Sequence, residues 1–150
     1  MERIEAESVI KRPAEAIFAY LTDSKNWPEW NSLVLETSAE ETPLRKGSRV
    51  KAVGRLLGRR IETTSEITEH EPFTKLSTRA TGMGLTLEDT YTFEPAAGGT
   101  RVRYKADAET HGLFKLADPI LARIVKKQTD SNFGALKEIL EAEVPAAVTR

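Results

Sequence analysis

The 150-residue chain contains no cysteine. Disulfides, iron–sulfur clusters, thiolate zinc sites and a cysteine nucleophile are therefore excluded. Histidine is almost as scarce, with only His70 and His111, which leaves little for a histidine-based metal site or a Ser/His pair. No stretch approaches the roughly 18 consecutive apolar residues of a membrane-spanning helix. Residues Met1 to Ala6 carry Glu2, Arg3 and Glu5 with no apolar run behind them, so no signal peptide is expected and a cytoplasmic location is. An excess of one charge is missing too. Lys plus Arg number 22 against 23 Asp plus Glu, a balance that gives no reason to expect a nucleic-acid partner. HExxH, GxxxxGK[ST] and GxGxxG are all absent, so no metal and no nucleotide cofactor is expected.

What is present fits one soluble globular domain over residues 1–150. Hydrophobic residues make up 39% and charged residues 30%, at a length that buries a full core without staples. Arg3 to Lys11 sets Ile4, Ala6, Ser8 and Ile10 on one side, a strand alternation. Pro13, at the first helical position, then opens a segment in which Ala14, Ile17, Phe18 and Leu21 share one helical face to about Thr22. Asp23 and Ser24 can cap a second short turn around Asn26 to Asn31.

From Leu33 to Thr110 the period becomes two, punctuated by Pro43, Gly47, Gly54, Gly58, Pro72, Gly82, Gly84, Pro95, Gly98 and Gly99. Six serial strands are the natural count. In the clearest pair, Leu85 to Phe93 and Val102 to Thr110, the apolar residues keep one parity and Glu88, Glu94, Arg101, Arg103, Lys105, Asp107 and Glu109 the other. That is an antiparallel meander with one wet face. Asp118-Pro119 then reads as N-cap and N1 of a long helix, with Ile120, Leu121, Ile124, Val125, Phe133, Leu136, Ile139 and Leu140 at helical spacing. Its end is expected before Pro145, with Ala146 to Arg150 as a loose tail.

Four stretches carry a resemblance: Arg12 to Asp23 (RPAEAIFAYLTD), Trp27 to Asn31 (WPEWN), Tyr91 to Pro95 (YTFEP) with Gly98 to Val102 (GGTRV), and Leu136 to Glu141 (LKEILE). Together they resemble the START-like (SRPBCC) superfamily in its polyketide cyclase/dehydrase and lipid-transport branch. The resemblance implies an α+β helix-grip fold: a seven-stranded curved antiparallel sheet wrapped around a long C-terminal helix, with two short helices after the first strand. It also implies a ligand cavity between sheet and helix, and no particular reaction.

The inward parity of the strands shows how such a cavity would be lined. It contains Leu35, Ala52, Thr63, Ser65, Thr78, Ala80, Leu87, Asp89, Tyr91, Tyr104, Ala106 and Ala108, many of them small, and interiors tolerate few voids unless something fills them. On the helix, the face through Leu121 and Val125 passes across Gln128, Thr129 and Asn132. Either these polar groups meet water or a polar ligand group, or helix rotation turns them outward. Asp89 is the sharpest feature, a carboxylate between Leu87 and Tyr91 on the apolar parity; buried acids are rare unless paired or used. His70 and His111 share parity with outward charged residues. Trp27 and Trp30 read as packing for the short helices, or as aromatics of the cavity mouth.

Arg45, Lys46, Arg49, Lys51, Arg55, Arg59 and Arg60 occur with no acid between Pro43 and Ile61. Such a strip reads as a solvated face with edge protection, or as a contact for an anionic membrane surface or acidic partner. The sequence thus points to a carrier or sensor for a small hydrophobic ligand. Two alternatives remain: a cyclase or dehydratase relying on Asp89, Tyr91 and Tyr104, and an interaction module using the basic strip.

Overall fold

The period-two stretches form seven strands: β1 (Ile4–Ile10), β2 (Val34–Ala39), β3 (Arg49–Leu56), β4 (Arg59–Glu71), β5 (Lys75–Gly82), β6 (Leu85–Ala96) and β7 (Gly99–Thr110). In the computed structural model, which describes residues 3–56, 58–111 and 118–148, they make one antiparallel sheet in the order β1-β7-β6-β5-β4-β3-β2. β2 to β7 are a plain meander, while β1 pairs with β7 at the far side. The chain crosses between these edges through α1 (Ala14–Leu21), a 3-10 turn (Ser24–Asn26) and α2 (Trp27–Trp30). This is the expected helix-grip arrangement, completed by the long helix α3 (Asp118–Val148).

Local chemistry accounts for the element ends. Pro13 stands at the N-cap of α1, one residue earlier in the helix frame than expected, and Ile17, Phe18 and Leu21 are its buried face. Asp23 accepts from the Lys25 amide at 3.1 Å and starts the 3-10 turn. Gly99 begins β7 where a Cβ would lie 2.1 Å from the Ile10 carbonyl oxygen, so the β6–β7 hairpin reaches the end of β1 only with glycine there.

α3 buries Leu121, Phe133, Leu136 and Leu140 and covers the outer edge of β1. Lys126 Nζ donates to the Glu5 carbonyl at 2.7 Å, and Lys137 Nζ to the Val9 carbonyl at 2.6 Å, so strand carbonyls that would face a second chain are occupied. The outer sheet face is wet and charged, with Glu7 shared by Arg101 and Arg103, and Glu94 bridging to Arg103. The helix does not stop before Pro145. A proline there forfeits one backbone bond near the terminus, and Ala146 and Ala147, good helix formers, continue to Val148. Of the expected tail, Thr149 and Arg150 lie outside the described residues, as does the capping side chain of Asp118.

Two bulges displace side chains from the simple alternation. The β2–β3 register shifts between Val34 and Glu36, and Leu35, expected inward, is 52% exposed. The β4–β5 register shifts between Ile67 and Glu69. His70, expected among outward charges, therefore turns back under α1, its ring edge-on to Phe18 at 4.9 Å.

Candidate functional site

The concave face of the sheet does not close fully on the helices. A cavity of about 210 Å³ remains, open on one side. Its origin is a row of small residues running across the sheet: Ala52 opposite Thr63, Ser65 opposite Ala80, then Leu87 between Ala80 and Ala108. Directly paired side chains sit about 5 Å apart, so short ones in succession leave a trough that α3 bridges rather than fills. Ala52, Thr63, Ser65, Thr78 and Ala80 line it as expected. So do Leu87, Asp89, Tyr91, Ala108 and Val125.

The remaining expected site residues lie elsewhere, each for a definable reason. Leu35 is turned out by the β2 bulge, and Leu33 and Val34 line the cavity instead. Ala106 is buried in the main core between Asp89 and Ile4. Leu121 packs behind the lining side chains of Ile61, Leu56 and Leu85. Tyr104 sits behind the wall and touches the site through Asp89. Gln128 and Asn132 are spent on the protein itself. Asn132 Oδ1 accepts from the Ser32 amide at 3.0 Å, its amide donates to Asn31 Oδ1 at 3.0 Å, and Ser32 Oγ lies 2.5 Å from Gln128 Oε1. These polar groups fasten the α2–β2 connection to α3.

Asp89 is the polar centre. Thr78, directly opposite on β5, donates to its Oδ1, and Tyr104 Oη, diagonal on β7, donates to Oδ2 at 2.9 Å. Protein atoms enclose the carboxyl, and its partial accessibility is to the cavity it borders. Burial raises its pKa to about 6 from the usual 3.8, against the opposing pull of the Thr78 and Tyr104 hydrogen bonds. The Tyr91 and Tyr104 phenols are pushed well up as well, first by burial and then by the charge on Asp89. Behind them stands an aromatic triad. Tyr91 and Tyr104 rings are 4.9 Å apart, Tyr104 and Phe133 5.5 Å, and Tyr91 stacks on Phe133 at 6.3 Å. The Tyr91 and Ser65 hydroxyls have no hydrogen-bond partner among the described residues.

Leu21, Leu76, Leu85 and Ile61 also line the cavity, though nothing in the sequence singles them out. Inward strand parity, or for Leu21 the apolar face of α1, was their only signal, and it does not separate lining from packing. Trp27 and Trp30 do both jobs: both border the cavity, Trp27 Nε1 donates to the Leu21 carbonyl at 2.9 Å, and Trp30 is a buried core residue. Of the basic strip, Arg45, Arg49 and Arg60 pair with Glu41, Glu66 and Glu62. Among the described residues no cluster of His, Asp and Glu has metal-binding proximity, and no helix is long and apolar enough to cross a membrane.

Residues 1–141 match the family model described as polyketide cyclase / dehydrase and lipid transport. No curated protein matches the chain by sequence. Among solved structures, protein TTHA0849 from Thermus thermophilus superposes with a TM-score of 0.78, with 19% identity over 94% of this chain and 98% of that one. Protein CV1439 from Chromobacterium violaceum gives 0.74 at 16% identity over 94% and 99%. The di-domain ARO/CYC StfQ from the steffimycin biosynthetic pathway gives 0.77 at 16% identity, covering 95% of this chain and 51% of its own length. At these identities the likeness is one of fold.

Proposed function

The chain belongs to the polyketide cyclase/dehydrase and lipid transport family, and from that premise we propose that it binds a small hydrophobic or amphipathic molecule between sheet and helix, as a carrier or sensor. The observation that carries this reading is the mostly apolar cavity of about 210 Å³ with one polar centre at Asp89. Ligand sites combine an apolar lining with a few placed polar groups in this way. An apolar cavity of about 150 Å³ is enough to hold benzene. The present one therefore suits a two-ring system or a short chain, with any longer ligand extending through the open side.

Thermal unfolding against a panel of polycyclic and long-chain lipophiles tests this. A true ligand at 100 times its Kd adds about 2.7 kcal/mol by mass action, and native mass spectrometry of protein from its own source would weigh a retained one directly. A panel that leaves Tm unmoved would sink the reading.

One observation favours a second reading, a cyclase or dehydratase. Asp89, with a pKa of about 6 in an enclosed site, holds the proton affinity of a general acid or base working near neutral pH. That reading requires Asp89→Asn to lower turnover by about 100-fold or more with binding retained. Equal turnover in wild type and variant would dispose of it.

A further inference from the structure

The hydrogen-bonding inventory at the inner wall is incomplete in a particular way. A carboxylate offers about four lone-pair sites on its two oxygens. Thr78 and Tyr104 occupy one on each oxygen of Asp89, so acceptor capacity is left beside the cavity. Several donors beside the same cavity are unspent, the buried Trp30 Nε1 among them, and two are hydroxyls on buried residues. The Tyr91 hydroxyl, on a residue 8% exposed, and the Ser65 hydroxyl, on one 7% exposed, have no partner among the described residues. Tyr91 is the nearer of the two to Asp89, and Ser65 lies two strands away in the row of Leu87. Thr78 faces Asp89 across β5–β6 and Ile67 across β4–β5, Ser65 lies two residues from Ile67 on the same face, and Tyr91 lies two residues from Asp89.

We propose that the cavity selects an apolar ligand whose buried end carries an alcohol, phenol or enol hydroxyl, which donates to Asp89 and accepts from Tyr91. This rests on the ligand-binding reading above and narrows it to a chemical class. A hydroxyl is both donor and acceptor, and so completes both halves of the inventory. A bare hydrocarbon leaves buried polar groups without partners, and sites built to hydrogen-bond a ligand group discriminate strongly against analogues that lack it. A carboxylate end would face the charge on Asp89. An ammonium end would add a second buried ion, whose desolvation offsets its attraction to the carboxylate.

The test uses four compounds of one shape at pH 7.5, with calorimetry or ligand fluorescence as readout: 1-naphthol, naphthalene, 1-naphthoate and 1-naphthylmethylammonium. Wild type is expected to bind 1-naphthol about 10-fold or more tighter than each of the others. Tyr91→Phe keeps the ring and is expected to shrink the preference for naphthol over naphthalene several-fold; Asp89→Leu is expected to abolish the preference. If Asp89→Leu does not fold, Tyr91→Phe decides alone. Equal affinity for naphthol and naphthalene overturns hydroxyl selection while leaving ligand binding intact, and so does a preference that survives Tyr91→Phe undiminished. Tightest binding of the naphthoate or the ammonium overturns it as well. Failure of all four compounds to bind removes the binding reading and this inference together.

Discussion

Tyr104 on β7 donates a hydrogen bond from its hydroxyl to Asp89 on β6 at 2.9 Å, yet this bond and the one from Thr78 do not bring the carboxyl back to its ordinary range, because burial outweighs both. The direction of the resulting pH dependence follows. Folded Asp89 holds its proton up to about pH 6, whereas in the unfolded chain it loses it near 3.8. Between those values the native state binds more protons, so this group's contribution to stability falls as pH rises from about 4 to 6 and is level above about 7. The whole span is worth about 3 kcal/mol at most. Paired surface acids such as Glu7, Asp107 and Glu141, whose pKa values are lowered by their Arg or Lys partners, titrate with the opposite sign.

The difference between wild type and Asp89→Asn separates the two effects. The variant is expected to gain stability relative to wild type as pH goes from 4 to 7, by a few kcal/mol at most. Urea denaturation at a series of pH values measures this. A difference that does not change with pH would mean that Asp89 is not held in its neutral form by burial.

Ala106 and Ala108 are neighbours on the inner parity of β7 with opposite expected responses to enlargement. Ala106 is 1% exposed and closed in by Asp89 and Ile4 on the flanking strands. Leu there overpacks a filled layer and is expected to cost about 1–3 kcal/mol. Ala108 lines the cavity opposite Leu87, where added methyl groups enter empty space. Ala108→Leu is expected to be near neutral in denaturant unfolding and to abolish binding of an apolar fluorescent probe. Equal, severe losses at both positions would show that the space beside Ala108 does not accept side-chain atoms.

The meander with its wet and dry faces was legible because one parity rule governs β3 to β7 outside the β4 bulge, and the long helix because its apolar residues keep helical spacing. Asp89 stood out by the same parity rule, as a lone carboxylate on the apolar side. Leu35 and His70 were misplaced because a bulge depends on how a strand pairs with its neighbour, and period-two counting along one strand carries no trace of it. Gln128 and Asn132 were ambiguous for another reason. A polar patch on the inner face of a helix looks the same whether its partner is a ligand or a distant loop, and the partner, Ser32, lies 96 and 100 positions away. The extent of the cavity was only partly legible, since whether Leu76 or Ile61 packs or lines depends on how far α3 stands from the sheet.

That Ser32–Asn132 contact supports the last prediction. Asn132 is 6% exposed and meets three groups: Oδ1 accepts from the Ser32 amide and lies 3.0 Å from Ser32 Oγ, and Nδ2 donates to Asn31 Oδ1. Asn31 Oδ1 in turn accepts from the Leu33 amide at 3.0 Å. The segment so held contributes Asn31, Leu33 and Val34 to the cavity wall, so one side chain of α3 fixes one side of the binding site. Asn132→Ala strips the Ser32 amide of its acceptor and is expected to cost about 1 kcal/mol, the net worth of a typical hydrogen bond, because Ser32 is exposed and water can reach its amide. The consequence specific to this arrangement is local. Amide hydrogen exchange at Ser32 to Val34 is expected to accelerate more than in the core strands, and a bound apolar probe to dissociate faster. Gln128→Ala, which removes one bond to the Ser32 hydroxyl and leaves the backbone contacts intact, is expected to cost about 1 kcal/mol or less. Uniform acceleration of exchange across the protein in Asn132→Ala, with probe dissociation unchanged, would reduce Asn132 to a general stabiliser with no hold on the cavity wall.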